Sequence, residues 1–268
     1  MMLHATNGML TLEKHTMDYI SFGTGSRNLI MLPGLGDGLK TVKGAAIPFA
    51  WMYRSFAAEY KVYVFSRINE LETGYTTRDM AHDVMLAMDA LGVQTASVMG
   101  VSQGGMIAQY LALDYPERIE KLVLAVTLSR QNSTVQEVIG SWIELAKNED
   151  YKQLMIDTAE KSYSEAYLRT HRWIYPLMGM LGKPQDFSRF IIQADSCRKH
   201  NAYDRLTEMK CATLILGGRR DQIVGAQASE EMAERISNSK LYMFENYGHA
   251  AYEEAMEFNS QVRKFLSI

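Results

Sequence analysis

The chain has 268 residues, of which 47% are hydrophobic and 22% are charged, and its formal net charge is -3. This composition is typical of a globular protein, and the weak acidity argues against nucleic acid or an anionic membrane as the main partner, because both require a basic surface. Only 5 prolines and 19 glycines, spread along the chain, exclude a collagen-like or low-complexity protein, and no segment has the roughly 18 uncharged apolar residues of a membrane span.

The cysteine content and the N-terminal residues bear on the compartment. Cys197 and Cys211 are too few for a disulfide framework in a chain of this length, which favours a reducing environment. The first residues, MMLHATNGML, lack the basic start and the apolar run of a secretory signal peptide. We therefore expect a cytoplasmic protein. Homo-oligomerisation is compatible with the sequence, but no pattern in it reports the oligomeric state.

Short apolar runs alternate with longer helical patterns along the chain. A hairpin is predicted in GMLTLEKHTMDYISF, residues 8–22. Further strands are predicted at residues 28–32, 62–66, 96–100, 122–127, 212–217 and 240–244. Their near-continuous apolar character is typical of strands covered on both faces, as in a parallel sheet. Helices are predicted at residues 78–91 and 104–115, where apolar residues recur every three or four positions, so the alternation indicates an α/β fold.

Residues 128–211 break this alternation. They contain no convincing strand, and helical patterns are predicted at residues 135–147, 151–163, 165–180 and 187–198. The interval is too long for a loop without structure of its own. We expect it to be a helical cap inserted into a core that is formed by residues 1–127 and 212–268. The alternative is one enlarged crossover connection packed on the sheet.

A candidate nucleophile lies between a predicted strand and a predicted helix. Gly100-Val101-Ser102-Gln103-Gly104 has the G-x-S-x-G pattern, in which the serine occupies a sharp turn and the glycines prevent clashes with the neighbouring chain. The following helix would direct its N-terminal N–H groups at developing negative charge. The string alone is weak evidence, and a glycine-rich turn with a capping serine is the alternative. Its place at a strand-to-helix junction favours the nucleophile.

A nucleophilic serine needs a base, and the base needs a group that orients it. His249 is the candidate base, because it follows the last predicted strand between two small residues, where a loop can expose it. The remaining histidines fit ordinary surface or core positions: His4, His15, His82, His171 and His200. The third residue, which orients the base, should be a carboxylate on a loop at another strand end.

Asp221 is the candidate carboxylate. It follows the strand predicted at residues 212–217, and it gives the order nucleophile, acid and base along the chain. An aspartate that only caps a turn is the alternative, because Asp is common in turns. Asp195 and Asp204, within the predicted cap, are weaker candidates for the acid.

Acyl transfer also requires an oxyanion hole, in which two backbone N–H groups lie about 3 Å from the oxygen that becomes charged. One donor should be the amide of Gln103, the residue after the nucleophile. The other should be the amide of Leu35, because the preceding Pro33-Gly34 lets the backbone turn inward. A plain glycine-rich turn is the alternative for this second segment.

With these elements in order, the chain resembles the α/β-hydrolase-fold superfamily, of the esterase/lipase-type serine hydrolases, over essentially its whole length. The stretches that carry the resemblance are DYISFGTGSRNLIMLPGLGDG, YTTRDMAHDVMLAMDALGVQTASVMGVSQGGMIAQYLALDYPERIEKLVLAVT, ATLILGGRRDQIV and NYGHAAYEEAMEFNSQVRKFL. The resemblance implies a mostly parallel eight-stranded sheet flanked by helices, with an inserted helical cap. It also assigns the roles of nucleophile, acid and base to Ser102, Asp221 and His249, and those of oxyanion donors to Leu35 and Gln103.

The chain departs from the family pattern at two places. Pro33-Gly34 stands where many members have His-Gly, which puts the shape of the first oxyanion segment in doubt. Residues 66–77 lack the usual D-x-x-G-x-G-x-S pattern, which affects one wall of the pocket.

The predicted function is hydrolysis of a small or medium, apolar carboxylic ester, thioester or lactone through an acyl-enzyme. Aromatic and methionine side chains of the predicted cap suit an apolar pocket, although a helical insertion also needs such residues for its own core. No metal-binding or nucleotide-binding pattern is present, so no cofactor is expected, and the predicted partner is a small-molecule substrate. The alternatives are hydrolysis of a carbon–carbon bond or cofactor-free perhydrolysis by the same triad, and a ligand-binding relative without activity.

Overall fold

Eight strands form one sheet in a computed structural model of the chain, which describes residues 3–267. The strands are β1 (Thr6–Leu12), β2 (His15–Phe22), β3 (Arg27–Leu32), β4 (Tyr60–Ile68), β5 (Ala96–Val101), β6 (Ile119–Ala125), β7 (Ala212–Gly218) and β8 (Ser239–Phe244). Their order in the sheet is β1-β2-β4-β3-β5-β6-β7-β8. β2 pairs antiparallel with β1 and β4, and the remaining pairs are parallel. The expected mostly parallel, eight-stranded sheet is therefore confirmed.

Helices cover both faces of the sheet. The helices outside the interval between β6 and β7 are α1 (Ala46–Met52), α2 (Thr77–Ala90), α3 (Gln103–Asp114), α9 (Gln227–Arg235), α10 (Ala251–Glu254) and α11 (Phe258–Ser267). Alternate residues of a strand point to opposite faces. In β3, Ile30 and Leu32 accordingly pack with α2, α3 and α9, whereas Leu29 and Met31 pack with α1 and α11. Burial on both sides explains the continuous apolar runs of the central strands.

Five α-helices lie between β6 and β7. They are α4 (Ser133–Lys147), α5 (Tyr151–Ser162), α6 (Glu165–His171), α7 (Ile174–Leu181) and α8 (Ser188–Lys199). Apolar side chains of α4, α5 and α8 pack on each other and also on Leu35 and Met106 of the core, whereas Leu168 of α6 and Tyr175 of α7 cluster with Ala159 of α5. An isolated β-bridge between Arg130 and Asn201 joins the two ends of the interval. We propose that these helices form one cap whose base is continuous with the core.

The single helix predicted over residues 165–180 is wrong. The chain forms α6 and α7 instead, with a break at Arg172 and Trp173. Pro176 explains the break, because a continuous helix would need a hydrogen bond from the amide of residue 176 to the carbonyl of Arg172, and proline has no amide hydrogen. As the third residue of α7, Pro176 lies in the first helical turn, where no such bond is required.

The carboxyl ends of the parallel strands carry the loops that matter for function. β5 leads directly into α3 through Ser102, β7 leads into the loop that contains Asp221, and β8 leads into the loop that contains His249. In open parallel sheets, ligands bind at this edge. Within residues 3–267, no helix is both long and apolar enough to cross a membrane.

Candidate active site

Ser102 occupies a strained turn between β5 and α3. Its backbone has φ 53° and ψ -118°, a region that residues other than glycine rarely adopt. The Ser102 amide donates a hydrogen bond to the carbonyl of Ala125 (2.9 Å), which fixes the turn against the end of β6. The carbonyl of Ser102 accepts hydrogen bonds from the Thr127 hydroxyl (2.7 Å) and from the first turn of α3. These contacts hold the Ser102 side chain at the sheet edge.

Two glycines make the close approach at this turn possible. A Cβ atom at Gly104 would overlap the carbonyl of Leu32 at the end of β3, and one at Gly100 would overlap the carbonyl of Gly104. In both cases the obstacle is backbone, which cannot move aside as a flexible side chain can. A side chain at either position would therefore meet main-chain atoms at this turn.

His249 lies between Ser102 and Asp221. Its Nε2 atom is 2.9 Å from Ser102 Oγ, and its Nδ1 atom is 2.8 Å from Asp221 Oδ2. A carboxylate only accepts hydrogen bonds, so Nδ1 carries the proton and Nε2 has a free lone pair that faces the serine hydroxyl. His249 is 7% exposed, so its surroundings shield these bonds from water. Three segments that are distant in sequence thus form one hydrogen-bonded relay.

The two carboxylate oxygens of Asp221 accept hydrogen bonds from different partners. Oδ2 accepts the bond from His249, and Oδ1 accepts bonds from the amides of Ile223 (2.8 Å) and Val224 (3.0 Å). This arrangement fixes the plane of the carboxylate. The Asp221 and His249 loops are in direct contact, since a Cβ atom at Gly218 would overlap the carbonyl of Gly248.

The other candidate acids and histidines lie elsewhere. On α8, Asp195 pairs with Lys199 (2.6 Å), and neither Asp195 nor Asp204 is hydrogen-bonded to His249. The remaining histidines have local partners or an exposed position: His15 lies beside Glu70, His82 contacts Tyr115, His171 contacts Tyr167, His200 contacts Thr77, and His4 is exposed.

The two expected oxyanion donors lie on either side of Ser102. Gln103 is the first residue of α3, and Leu35 is the first residue of a short 3-10 helix, Leu35–Gly38. An amide at the start of a helix has no acceptor within that helix, so both are available to a ligand. The Leu35 segment passes close to the nucleophile, because a Cβ atom at Gly34 would lie 3.3 Å from Ser102 Cβ.

A buried polar network beneath these donors escaped the sequence analysis. Asp37, in the same 3-10 helix as Leu35, accepts hydrogen bonds from the Arg67 amide (3.1 Å), from Arg189 Nη2 (2.7 Å) and from Gln193 Nε2 (3.3 Å). Its side chain is fully buried. Arg67 is also buried, and burial lowers the pKa of its guanidinium, which the nearby Asp37 carboxylate partly opposes.

The Gln103 side chain joins this network to α8. Gln103 Oε1 accepts a bond from Arg67 Nη2 (3.0 Å), and Gln103 Nε2 donates to the carbonyl of Gln193 (2.9 Å). Arg67 Nη2 also donates to the carbonyl of Pro33 (2.5 Å). The sequence pattern predicts a role only for the Gln103 amide, yet the Gln103 side chain also links the segments of Pro33 and Ser102 to α8. No local sequence signal marks this network, because its members come from four separate segments.

A cavity of about 620 Å³ opens next to Ser102 and His249. Its walls are mainly apolar and come from the core, α1 and the cap. Five aromatic or methionine side chains of the cap line it: Trp142, Met155, Tyr163, Tyr175 and Met178. Four others, Tyr151, Tyr167, Phe187 and Phe190, pack within the cap instead, and Trp173 and Met180 are exposed. Sequence periodicity cannot separate these three groups, because a single helix can carry members of two of them: Tyr151 and Met155 in α5, and Met178 and Met180 in α7.

Cys197 also lines the cavity, but its chemistry is unsuited to a nucleophile. Burial raises the pKa of its thiol to about 12, so the reactive thiolate is scarce near neutral pH. Within residues 3–267, no three His, Cys, Asp or Glu side chains are grouped so that they could hold a metal ion.

Comparisons with known proteins support the resemblance. The family described as α/β hydrolase fold matches residues 28–255. A 2-hydroxy-6-oxononadienedioate/2-hydroxy-6-oxononatrienedioate hydrolase from Pseudomonas putida is 28% identical over 273 residues, covering 97% of this chain and 93% of the relative.

Two solved structures share the fold over nearly the whole chain. An α/β-hydrolase enzyme from a Medee basin deep-sea metagenome library has a TM-score of 0.88 and 21% identity, covering 97% of this chain and 98% of that one. An enol-lactonase from Burkholderia xenovorans LB400 has a TM-score of 0.83 and 18% identity, covering 97% of this chain and 100% of that one. At these identities the likeness concerns the fold.

Proposed function

The chain belongs to the α/β-hydrolase fold family, and from this premise we propose that it is a hydrolase whose nucleophile is Ser102. The observation that carries the proposal is the relay of two short hydrogen bonds, 2.9 Å from Ser102 to His249 and 2.8 Å from His249 to Asp221. The substrate would be a small and largely apolar molecule, in keeping with the size and walls of the cavity.

In the proposed mechanism, Ser102 Oγ attacks a carbonyl carbon of the substrate while His249 Nε2 accepts the hydroxyl proton. Asp221 stabilises the imidazolium that forms and keeps the ring in its orientation. The amides of Leu35 and Gln103 donate hydrogen bonds to the oxygen that becomes negatively charged. His249 then protonates the leaving group, and a water molecule repeats the sequence on the acyl-enzyme to release the acid.

Cleavage of a carbon–carbon bond next to a ketone is the first candidate reaction. The substrate named for the Pseudomonas putida relative contains no ester, so its hydrolysis breaks a carbon–carbon bond, and that relative matches almost the entire chain. After Ser102 adds to the ketone, the bond to the neighbouring carbon breaks. Its electron pair must be delocalised into a conjugated carbonyl system before it accepts the proton from His249. Such a substrate must therefore be an activated ketone.

Hydrolysis of a carboxylic ester is the second candidate, and the charges of the cavity favour it. The relative's substrate is a dicarboxylate by its name, whereas Lys40 is the only Lys or Arg that lines the cavity in the described part of this chain. Lys40 could pair with one of the two carboxylates of that substrate, and the other would have no Lys or Arg beside it. An apolar ester without a carboxylate needs no such partner.

A substrate panel with matched variants would test the proposal. We expect Ser102→Ala to lower kcat by about four to six orders of magnitude, and Ser129→Ala, at a buried serine outside the cavity, to retain activity. A fluorophosphonate probe should label Ser102 in the wild type. Near-normal turnover by Ser102→Ala would refute the proposal. Ligand-induced thermal stabilisation without turnover of any substrate would indicate a binding protein instead.

The same panel would decide between the two reactions. It would contain nitrophenyl esters of increasing chain length, a conjugated hydroxy-oxo-dienoate with one carboxylate, and peroxide with a halide acceptor for perhydrolysis. A kcat/KM value at least about 100-fold higher for one class, equivalent to roughly 2.7 kcal/mol in transition-state stabilisation, would identify the reaction.

We further propose that the protein works in the cytoplasm. Cys197 and Cys211 are both free thiols, as is usual in a reducing compartment. Cell fractionation with an antibody against the chain would test this, and recovery in a secreted fraction would refute it.

A further inference from the structure

One end of the cavity carries a carboxylate among tyrosines. Glu253 lies in α10, four residues after His249, and it lines the cavity near its exposed edge. Across residues 3–267, no Lys or Arg nitrogen lies within 4.0 Å of its carboxylate. The hydroxyl of Tyr163 donates a hydrogen bond to Glu253 Oε2 (2.6 Å). The charge of Glu253 is therefore not neutralised by an ion pair.

Four tyrosines from separate elements line the cavity together with Glu253. They are Tyr53 at the end of α1, Tyr163 at the end of α5, Tyr175 in α7 and Tyr252 in α10. Burial raises the pKa of each phenol, and the negative charge of Glu253 raises it further in all four. The phenols thus stay protonated, and the only full charge among these five residues is the carboxylate. We call Glu253 and the four tyrosines the anionic subsite.

The anionic subsite is held in a fixed relation to the reacting groups. The Ala250 amide donates to the carbonyl of Ser162 (2.8 Å), and Glu254 accepts bonds from the Ser164 amide (2.9 Å) and hydroxyl (2.5 Å). The first bond attaches the start of α10 to the end of α5, and the bonds of Glu254 attach the end of α10 to the start of α6. Helix α10 begins two residues after His249, and Glu253 lines the same cavity as Ser102 and His249.

We propose that the anionic subsite binds a positively charged ammonium group of the substrate. A carboxylate attracts a cation, and tyrosine rings stabilise a cation through their electron-rich faces. The same carboxylate repels a substrate carboxylate, so the cavity should disfavour the anionic compounds that the Pseudomonas putida relative hydrolyses by name. This inference rests on the proposed hydrolase function and specifies its substrate class.

A purely structural role of Glu253 makes a different prediction. If Glu253 only fixed the Tyr163 ring, then Tyr163→Phe, which removes the hydroxyl but keeps the ring, should disturb the site as much as Glu253→Gln. If Glu253 binds the cation, Tyr163→Phe leaves its carboxylate with one hydrogen bond fewer, and selectivity for a cation should persist or increase.

Pairs of esters of the same shape and different charge would measure this selectivity. Choline butyrate and 3,3-dimethylbutyl butyrate differ mainly in one atom, a quaternary nitrogen against a quaternary carbon. In a second pair, the quaternary nitrogen or carbon would be part of the acyl group instead of the alcohol. For at least one pair, we expect the ratio of kcat/KM, charged over neutral, to fall about tenfold in Glu253→Gln. Glu257→Gln, at an exposed glutamate that does not line the cavity, should leave the ratio unchanged.

Binding measurements would separate this inference from the proposed function. Calorimetry on Ser102→Ala would compare butyltrimethylammonium with its neutral carbon analogue, with and without Glu253→Gln. Preference for the ammonium ion that depends on Glu253 supports the subsite even if no ester is hydrolysed. Hydrolysis with a charged-to-neutral ratio that Glu253→Gln does not change would overturn the subsite and leave the hydrolase proposal intact.

Discussion

Two helices of the cap, α8 and α7, differ in how they are attached to the rest of the molecule. In α8, Phe190, Gln193, Ala194 and Cys197 are at most 2% exposed. Near α7, the side chains face solvent to a large degree, with Leu181 88% exposed. Both helices belong to the same inserted interval, so the cap is not a uniform layer over the sheet.

The attachments of α8 reach the oxyanion segments directly. Arg189 and Gln193 bind Asp37 beside Leu35, and Gln193 and Ser196 accept bonds from the Gln103 side chain. By contrast, α7 packs mainly on α5, where Gly179 allows close approach to the backbone of Lys152. The cap is therefore attached to the loops around Ser102 through α8, while α7 is attached to the rest of the molecule mainly through α5.

The strongest test of this contrast removes the charge of Asp37. Asp37→Asn would leave the guanidiniums of Arg67 and Arg189 in the protein interior without their carboxylate, which we expect to lower the free energy of unfolding by about 3–5 kcal/mol. Urea unfolding measures this. Glu231→Gln, which breaks the exposed pair with Arg130, should cost about 1 kcal/mol or less. Equal losses in the two variants would show that the network is not what anchors α8.

A second test measures the stability of the protein at acidic pH. His200, at the end of α8, is buried against Tyr110 and bonds to Thr77 Oγ1 (2.9 Å), and burial lowers its pKa to about 3. Between about pH 6.5 and pH 3 the unfolded chain therefore binds a proton at this residue that the folded chain does not. We expect its contribution to stability to fall by roughly 1 kcal/mol for each pH unit of acidification in that window.

The measurement compares wild type with His200→Gln in urea at several pH values. Burial raises the pKa of Asp83 to about 6, which makes the folded state favour protonation between about pH 4 and 6 and opposes the effect of His200. Both proteins contain Asp83, so its contribution cancels when their free energies of unfolding are subtracted. His82→Gln, at an exposed histidine, is the control. A difference that does not change with pH would contradict the expectation.

Hydrogen exchange would compare the two helices without mutation. Because α8 is buried and α7 packs on one side only, we expect amides of α7 to exchange at least about 100-fold faster than those of the middle of α8. Mass spectrometry of peptides that cover residues 174–181 and 188–199 would measure both. Equal protection would mean that α5 and α7 open only together with the whole cap.

The smallest effect is expected at the outer surface of α7. Leu181→Lys replaces a side chain that is already 88% exposed, so the free energy of unfolding should change by about 0.5 kcal/mol or less. The same change at Leu168, which is 2% exposed in α6, should destabilise the protein severely because it buries a charge. Thermal or urea unfolding measures both. A large loss at Leu181 would show that α7 is held by contacts on its outer face.

Much of the fold and the relay follow from local patterns. A hairpin pattern marks β1 and β2, and apolar runs mark the other six strands. The strand ends then bring Ser102, Asp221 and His249 to one edge of the sheet. Helices α1 and α9 were not predicted. In α1, the sequence AIPFAWM contains a proline and has apolar residues on all sides, so no helical period is visible.

The residues that sequence patterns could not reveal act through distant contacts. Asp37, Arg67 and Arg189 are charged residues that would ordinarily be assigned to the surface, and only the folded chain shows that they share a buried site. Glu253 is likewise one of several glutamates near the end of the chain, and nothing in the local sequence distinguishes it. The role proposed for it also involves tyrosines from α1, α5 and α7, and no sequence pattern indicates that these residues meet in the fold.

The glycines at the sheet edge have a consequence for redesign. Gly100, Gly104 and Gly218 each lie against a main-chain carbonyl of a neighbouring segment. The positions of the loops that carry Ser102, Asp221 and His249 therefore depend on contacts between backbones. Exchanging α6 and α7 for segments of another sequence would leave those fits untouched. Grafting that region from other proteins is therefore a practical route to new substrate preferences on an unchanged reaction centre.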